Sequence, residues 1–130
     1  MIQSVSEYRT RVLVIEMDPM CRRVVERILS NSCFVVTSCN YQEIVSLLQN
    51  ETFDTLFVDY DFPDPGALGL FEVAKQYSPS TKRILMTGEN VVNLQYYLKT
   101  GLINACVTRT TPGRVIEEEV TSKSASSRRE

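Results

Sequence analysis

Apolar residues along this chain fall into two alternating patterns. One is a short unbroken run, seen at residues 11–15, 33–37, 54–58, 83–86 and 103–108, whose length and β-branched content predict strands buried on both faces. The other repeats every three or four residues and predicts helices. Met20, Val24, Val25, Ile28 and Leu29 follow Asp18-Pro19 and stop near Asn31-Ser32, and Ile44, Leu47 and Leu48 lie in 41–50. Phe71, Ala74 and Tyr77 follow a loop with Pro63, Pro65 and Gly66, and Val91, Leu94 and Leu98 precede Gly101. Val115, Ile116 and Val120 follow Pro112. Pro112 suits the first helical position, and Gly101 suits the residue just past a helix end. Strict alternation of strand and helix with right-handed crossovers requires a parallel sheet covered on both faces, a doubly wound α/β architecture.

The 130 residues suit one domain, expected over 10–121. From Ser122 the chain turns polar, and 122–130 reads as a tail or linker. Lys and Arg number 14 against 16 Asp and Glu, a net charge of -2, which offers no electrostatic footing for nucleic acid or an acidic membrane. The apolar runs are strand-sized and the first ten residues lack the apolar core of a signal peptide, so a cytoplasmic protein is expected. Cys21, Cys33, Cys39 and Cys106 form no C-x-x-C pair and read as reduced, mostly buried residues, with a Cys33–Cys39 disulfide as the minor alternative. The absence of histidine removes a zinc site with His ligands, most general-base schemes and any phosphohistidine donor role.

Chemistry gathers where the apolar runs end: Glu16 after the first, Asp59 after the third, Thr87 after the fourth and Arg109 after the fifth. In an open α/β sheet these carboxyl ends share one rim, where sites collect. A carboxylate nucleophile, a second acid, a hydroxyl and a guanidinium together suit receiving and holding a phosphoryl group.

Four segments carry a resemblance to the response-regulator receiver domain: Arg11-Val-Leu-Val-Ile-Glu-Met-Asp-Pro19, Phe53-Asp-Thr-Leu-Phe-Val-Asp-Tyr-Asp-Phe-Pro-Asp64, Ile84-Leu-Met-Thr-Gly88 and Asn104-Ala-Cys-Val-Thr-Arg109. They occur in family order and spacing over about residues 10 to 121. The resemblance implies a five-stranded flavodoxin-like fold with strand order 2-1-3-4-5. It implies Asp59 as phosphoacceptor, Thr87 as the hydroxyl that follows the phosphoryl group, and a magnesium site of Glu16, Asp59 and the backbone carbonyl of Asp61. A sensor histidine kinase or phosphotransfer protein would be the donor. Output would pass through the face made by the fourth helix, the fifth strand and the fifth helix to a protein or domain, or to a second copy of the chain. The domain would signal rather than act as an enzyme, beyond its own phosphotransfer and dephosphorylation.

Several positions depart from the family pattern. Met17 stands where receivers carry a second acid that ligates magnesium, and a thioether is a poor ligand for a hard ion, which predicts a weak or lost metal site. Glu16 and Asp18 are the acids left to compensate. Arg109 replaces the family lysine if one extra residue lies between Gly101 and Asn104; otherwise Thr108 falls there. Arginine keeps the charge and can grip a carboxylate or phosphate through two parallel hydrogen bonds. Cys106 replaces the aromatic residue of the switch, and Thr110 replaces the usual proline.

Plainer assignments stand beside these. Asp59 as a structural acid paired with Arg109, Glu16 as a solvated rim acid, Asp18 as a helix cap and Thr87 as an ordinary strand-end hydroxyl all fit the same pattern. Leu98 reads as core, Tyr96 and Tyr97 as core or surface, and Glu117-Glu118-Glu119 as a solvated helix face. A pseudo-receiver, keeping the fold as an interaction module regulated by binding, is the rival reading. A flavodoxin-like carrier finds no support, since no glycine-rich or hydroxyl-rich phosphate loop follows the first strand.

Overall fold

The computed structural model describes residues 9–88 and 91–122. The elements alternate without exception: β1 (Thr10–Ile15), α1 (Pro19–Leu29), β2 (Cys33–Thr37), α2 (Tyr41–Asn50), β3 (Thr55–Asp59), α3 (Gly66–Tyr77), β4 (Lys82–Thr87), α4 (Leu94–Thr100), β5 (Ala105–Thr108) and α5 (Gly113–Thr121). The strands form one parallel sheet in the order β2-β1-β3-β4-β5, as the family resemblance implied. The expected tail at 122–130 lies outside the described residues except for Ser122.

Side chains alternate across a strand, so each central strand feeds two cores. Leu13, Ile15, Leu56, Val58 and Leu85 face α2 and α3, with Leu94, Tyr97 and Leu98 of α4 packed on the same cluster. Val12, Val14, Phe57, Ile84, Met86 and Val107 face α1 and α5, meeting Val25, Leu29, Ile116 and Val120.

Some local expectations shift. Val91 is buried but precedes α4, which starts only after Asn93 takes a left-handed conformation at φ 66°. Gly101, at φ 83°, ends α4 as expected, in a region that favours glycine. Pro112 occupies the N-cap of α5 rather than its first helical position, because its ψ of 144° is extended. β3 begins at Thr55, and just before it the Asp54 carboxylate accepts from Arg11 N at 2.8 Å. β5 begins at Ala105, while the Asn104 side chain accepts from Arg83 N.

Met20 and Val24, expected on the buried face of α1, are exposed, as are Tyr77 and Val115. α5 comes alongside α1 near Ile28 and Ser32, where a Cβ on Gly113 would stand 3.2 Å from Ile28 and Ser32 Oγ donates to Glu117. The first turns of α1 therefore stay uncovered. Of the acidic run on α5, Glu118 is solvent-facing, but Glu117 accepts from Ser32 and Glu119 pairs at 2.7 Å with the buried ammonium of Lys82. All four cysteines are free thiols; Cys33 is buried, Cys21 and Cys106 are half-buried, and Cys39 is exposed.

Candidate functional site

Three strand parities converge on the carboxyl rim. Glu16 continues the Val12, Val14 side of β1, Asp59 the Phe57 side of β3, and Arg109 the Val107 side of β5, so all three lie on the α1/α5 face. Thr87 and Cys106 have the opposite parity, with Leu85 directly paired to Cys106. The rim thus separates an acid and guanidinium cluster from a hydroxyl above the α3/α4 core.

Asp59 and Glu16 are each only 2% exposed. The Arg109 guanidinium meets both. Its Nη2 donates to Asp59 Oδ1 and to Asp61 Oδ2 at 3.3 Å, and its Nη1 stands 3.8 Å from Glu16 Oε1. Asp59 Oδ2 accepts from Asp61 N at 3.1 Å, and Glu16 Oε2 accepts from Asp18 N at 3.0 Å. Among the described residues, Glu16 Oε1 is the buried side-chain oxygen without a hydrogen-bond partner. Burial is the chief cause that raises the Asp59 and Glu16 carboxyls above their ordinary range, against the opposing pull of Arg109. Burial also works against the Arg109 charge, but Asp59 and Glu16 outweigh it and hold the guanidinium more firmly protonated.

The backbone fixes this arrangement. β5 ends at Thr108, paired with Thr87, and Arg109 N donates to Thr87 O at 3.1 Å, which brings Arg109 and not Thr108 onto the acids. Its side chain crosses Gly88, where an added Cβ would stand 3.1 Å from Nε. Asp18 caps α1 by accepting from Met20 N, and Cys21 Sγ and Met20 N hold its carboxyl below the ordinary range. Glu16 is no solvated rim acid. Thr87 is buried at the end of β4, one residue beyond the Met86 that pairs with Asp59.

Sequence reasoning missed three participants. The Asp61 carboxylate, and not only its backbone, joins the cluster. Arg22 Nη1 donates to Glu16 O, and Cys21 Sγ lies 3.7 Å from Arg109 Nη1. Cys21 and Arg22 were legible as first-turn residues after the Asp18 cap, but their direction depends on how α1 leans on the sheet.

The profile of the response regulator receiver domain matches residues 12–117. The chain belongs to this family. The receiver domain is 30% identical over 107 residues to the two-component response regulator ARR2 of Arabidopsis thaliana, an alignment covering 73% of this chain and 16% of that protein. The chain therefore spans about one sixth of the length of that curated relative. In fold, the receiver domain is similar to a CheY-like receiver domain protein of Methanospirillum hungatei, with TM-score 0.78, 21% identity and coverage of 87% of this chain and 91% of that one. It is also similar to a response regulator of Burkholderia pseudomallei solved with a phosphorylated aspartic acid, a calcium ion and citrate, with TM-score 0.75, 18% identity and coverage of 87% and 67%. Receiver domains signal between histidine kinases or phosphotransfer proteins and output domains. Among the described residues no helix is long and apolar enough to cross a membrane.

Receiver domains typically bind magnesium, and the residues on this rim do not fit it as a resident ion. Magnesium demands a near-octahedral set of oxygens at short range. Here a guanidinium lies within ion-pair distance of the two buried carboxylates and of Asp61, and Met17 follows Glu16 at 41% exposure. No three acidic or thiol side chains among the described residues converge on a metal position.

Proposed function

We propose that this receiver domain accepts a phosphoryl group on Asp59 from the phosphohistidine of a sensor histidine kinase or phosphotransfer protein. The observation that carries the reading is the Asp59 carboxylate, buried at the carboxyl end of the central strand with a guanidinium on it and Thr87 at the next strand end. An Asp59 oxygen attacks phosphorus and the bond from phosphorus to the donor imidazole breaks, its electron pair remaining on the ring nitrogen. An acyl phosphate is the product. Arg109 presents donors to the oxygens of the incoming group, and Thr87 supplies the hydroxyl that follows it. Cys106, on the β5 partner position of Leu85, offers a thiol in place of a ring, which shortens the side-chain movement able to carry the signal towards the α4-β5-α5 face. Met20 and Val24, 68% and 57% exposed on the first turns of α1 beside the site, form the apolar surface on which a donor helix would rest.

A second reading, a pseudo-receiver that works by binding alone, is favoured by Arg109 itself, since its pairing with Asp59 ties up the nucleophile. Intact-mass measurement after incubation with acetyl phosphate and magnesium separates the two. Addition of one phosphoryl group, absent from Asp59→Asn, is expected. No addition under conditions that modify another receiver domain would overturn the phosphoacceptor reading in favour of the binding module.

A further inference from the structure

The acid pocket contains a cation of its own. Arg109 is spread across three carboxylates: Nη2 serves Asp59 and Asp61, and Nη1 faces the unbonded oxygen of Glu16. An ammonium offers its three donors from a single nitrogen, whereas the planar guanidinium reaches the acids from two separate nitrogens at once. The position is built and not incidental. The Arg109 amide is tied to Thr87 O, and its side chain lies close across Gly88, where a Cβ would press on Nε at 3.1 Å and Cδ at 3.3 Å and oblige the guanidinium to shift by a few tenths of an ångström. Met17 stands beside Glu16 where a further acid would add an oxygen, so the oxygens offered to a hard divalent ion are those of acids that Arg109 already engages.

We propose that Arg109 is the resident cation of this pocket, holding the charge position that a divalent metal takes in other receiver domains and suppressing divalent binding there. The charge of Asp59 and Glu16 is then offset by one unit from within the chain, independently of metal concentration. This inference concerns how the pocket is neutralised and stands or falls separately from phosphorylation of Asp59.

The test is a manganese titration of the full chain, followed by the electron paramagnetic resonance signal of free Mn2+. Any histidine tag is removed first, because the chain itself contains no histidine. Removing a unit charge at ion-pair range from a partly screened site is worth more than a decade in affinity. Arg109→Ala is therefore expected to bind Mn2+ at least about tenfold more tightly than the unmodified protein, and the gain should vanish in Arg109→Ala/Asp59→Asn. Gly88→Ala keeps every charge and only displaces the guanidinium; it should shift affinity in the same direction by less. This variant carries the test if Arg109→Ala proves unfolded by circular dichroism. Equal Mn2+ affinity in the unmodified protein and in the folded variants, or tighter binding in the unmodified protein, would overturn the proposal. So would a gain that survives Asp59→Asn.

Discussion

Asp59 and Glu16 are carboxyls that burial raises above their ordinary values of 3.8 and 4.5. A folded state with raised acid pKa values holds protons that the unfolded chain has already released. Its contribution to stability is fully present below the ordinary carboxyl range and is lost as pH rises through the raised values. Each such group changes stability by at most about 1.4 kcal/mol per pH unit. The exposed Asp18, shifted the other way, acts only in the acid range below its ordinary value of 3.8. Melting temperature is therefore expected to fall as pH rises out of the ordinary carboxyl range and through the raised values. Asp59→Asn should flatten that slope and melt higher at the alkaline end. A lower melting temperature for Asp59→Asn across the whole range would mean that the Arg109 ion pair outweighs the burial cost.

Among the elements, α4 is the least anchored by its own side chains. It has seven residues, none of them fully buried. What holds its carboxyl end is Arg83 on β4, 5% exposed, whose guanidinium donates to Gly101 O at 2.7 Å, Leu102 O at 2.9 Å, Thr81 O at 3.0 Å and Pro79 O at 3.2 Å. One side chain thus closes the loop before β4 and the turn after α4 onto the same strand. Burial lowers its pKa, yet the four carbonyls give the charge hydrogen-bonded surroundings. Arg83→Met removes those donors and leaves buried carbonyls unpaired, a loss of about 3 kcal/mol. The urea midpoint reads that loss. Amide exchange should quicken most over residues 101–104, and uniform quickening would show that Arg83 serves the whole sheet rather than the α4 end.

At the scale of the molecule, the sheet belongs to both cores at once. Adjacent residues of one strand, such as Phe57 and Val58, are each fully buried and face different helical layers. Neither layer can leave without exposing the strands that serve the other, so the domain should unfold as one unit. Ile116→Ala, a truncation in the α1/α5 core, is expected to cost about 2–5 kcal/mol and to shift far-ultraviolet and near-ultraviolet dichroism transitions together. Separate transitions for the two signals would show that the α1/α5 layer is an independent unit.

The apolar runs and the three-to-four residue repeats determined the element order by themselves, because burial on both sheet faces leaves a pattern in the chain. They also placed Glu16, Asp59, Thr87 and Arg109 at strand ends, and parallel strands bring those ends to one rim. The helix faces were less legible. Met20 and Val24 have the spacing of core residues, yet they are exposed because α5 meets α1 further along. Nothing in the chain distinguished Glu117 and Glu119 from a solvated face, since their partners Ser32 and Lys82 are far away in sequence. The character of the rim was also left open: the sequence admitted Thr108 or Arg109 opposite Asp59, and Glu16 as solvated or buried. Only the tertiary structure decided these, through the β4–β5 register and the space over Gly88. A strand register and a side-chain path are properties of neighbours in space, and local sequence carries no record of them.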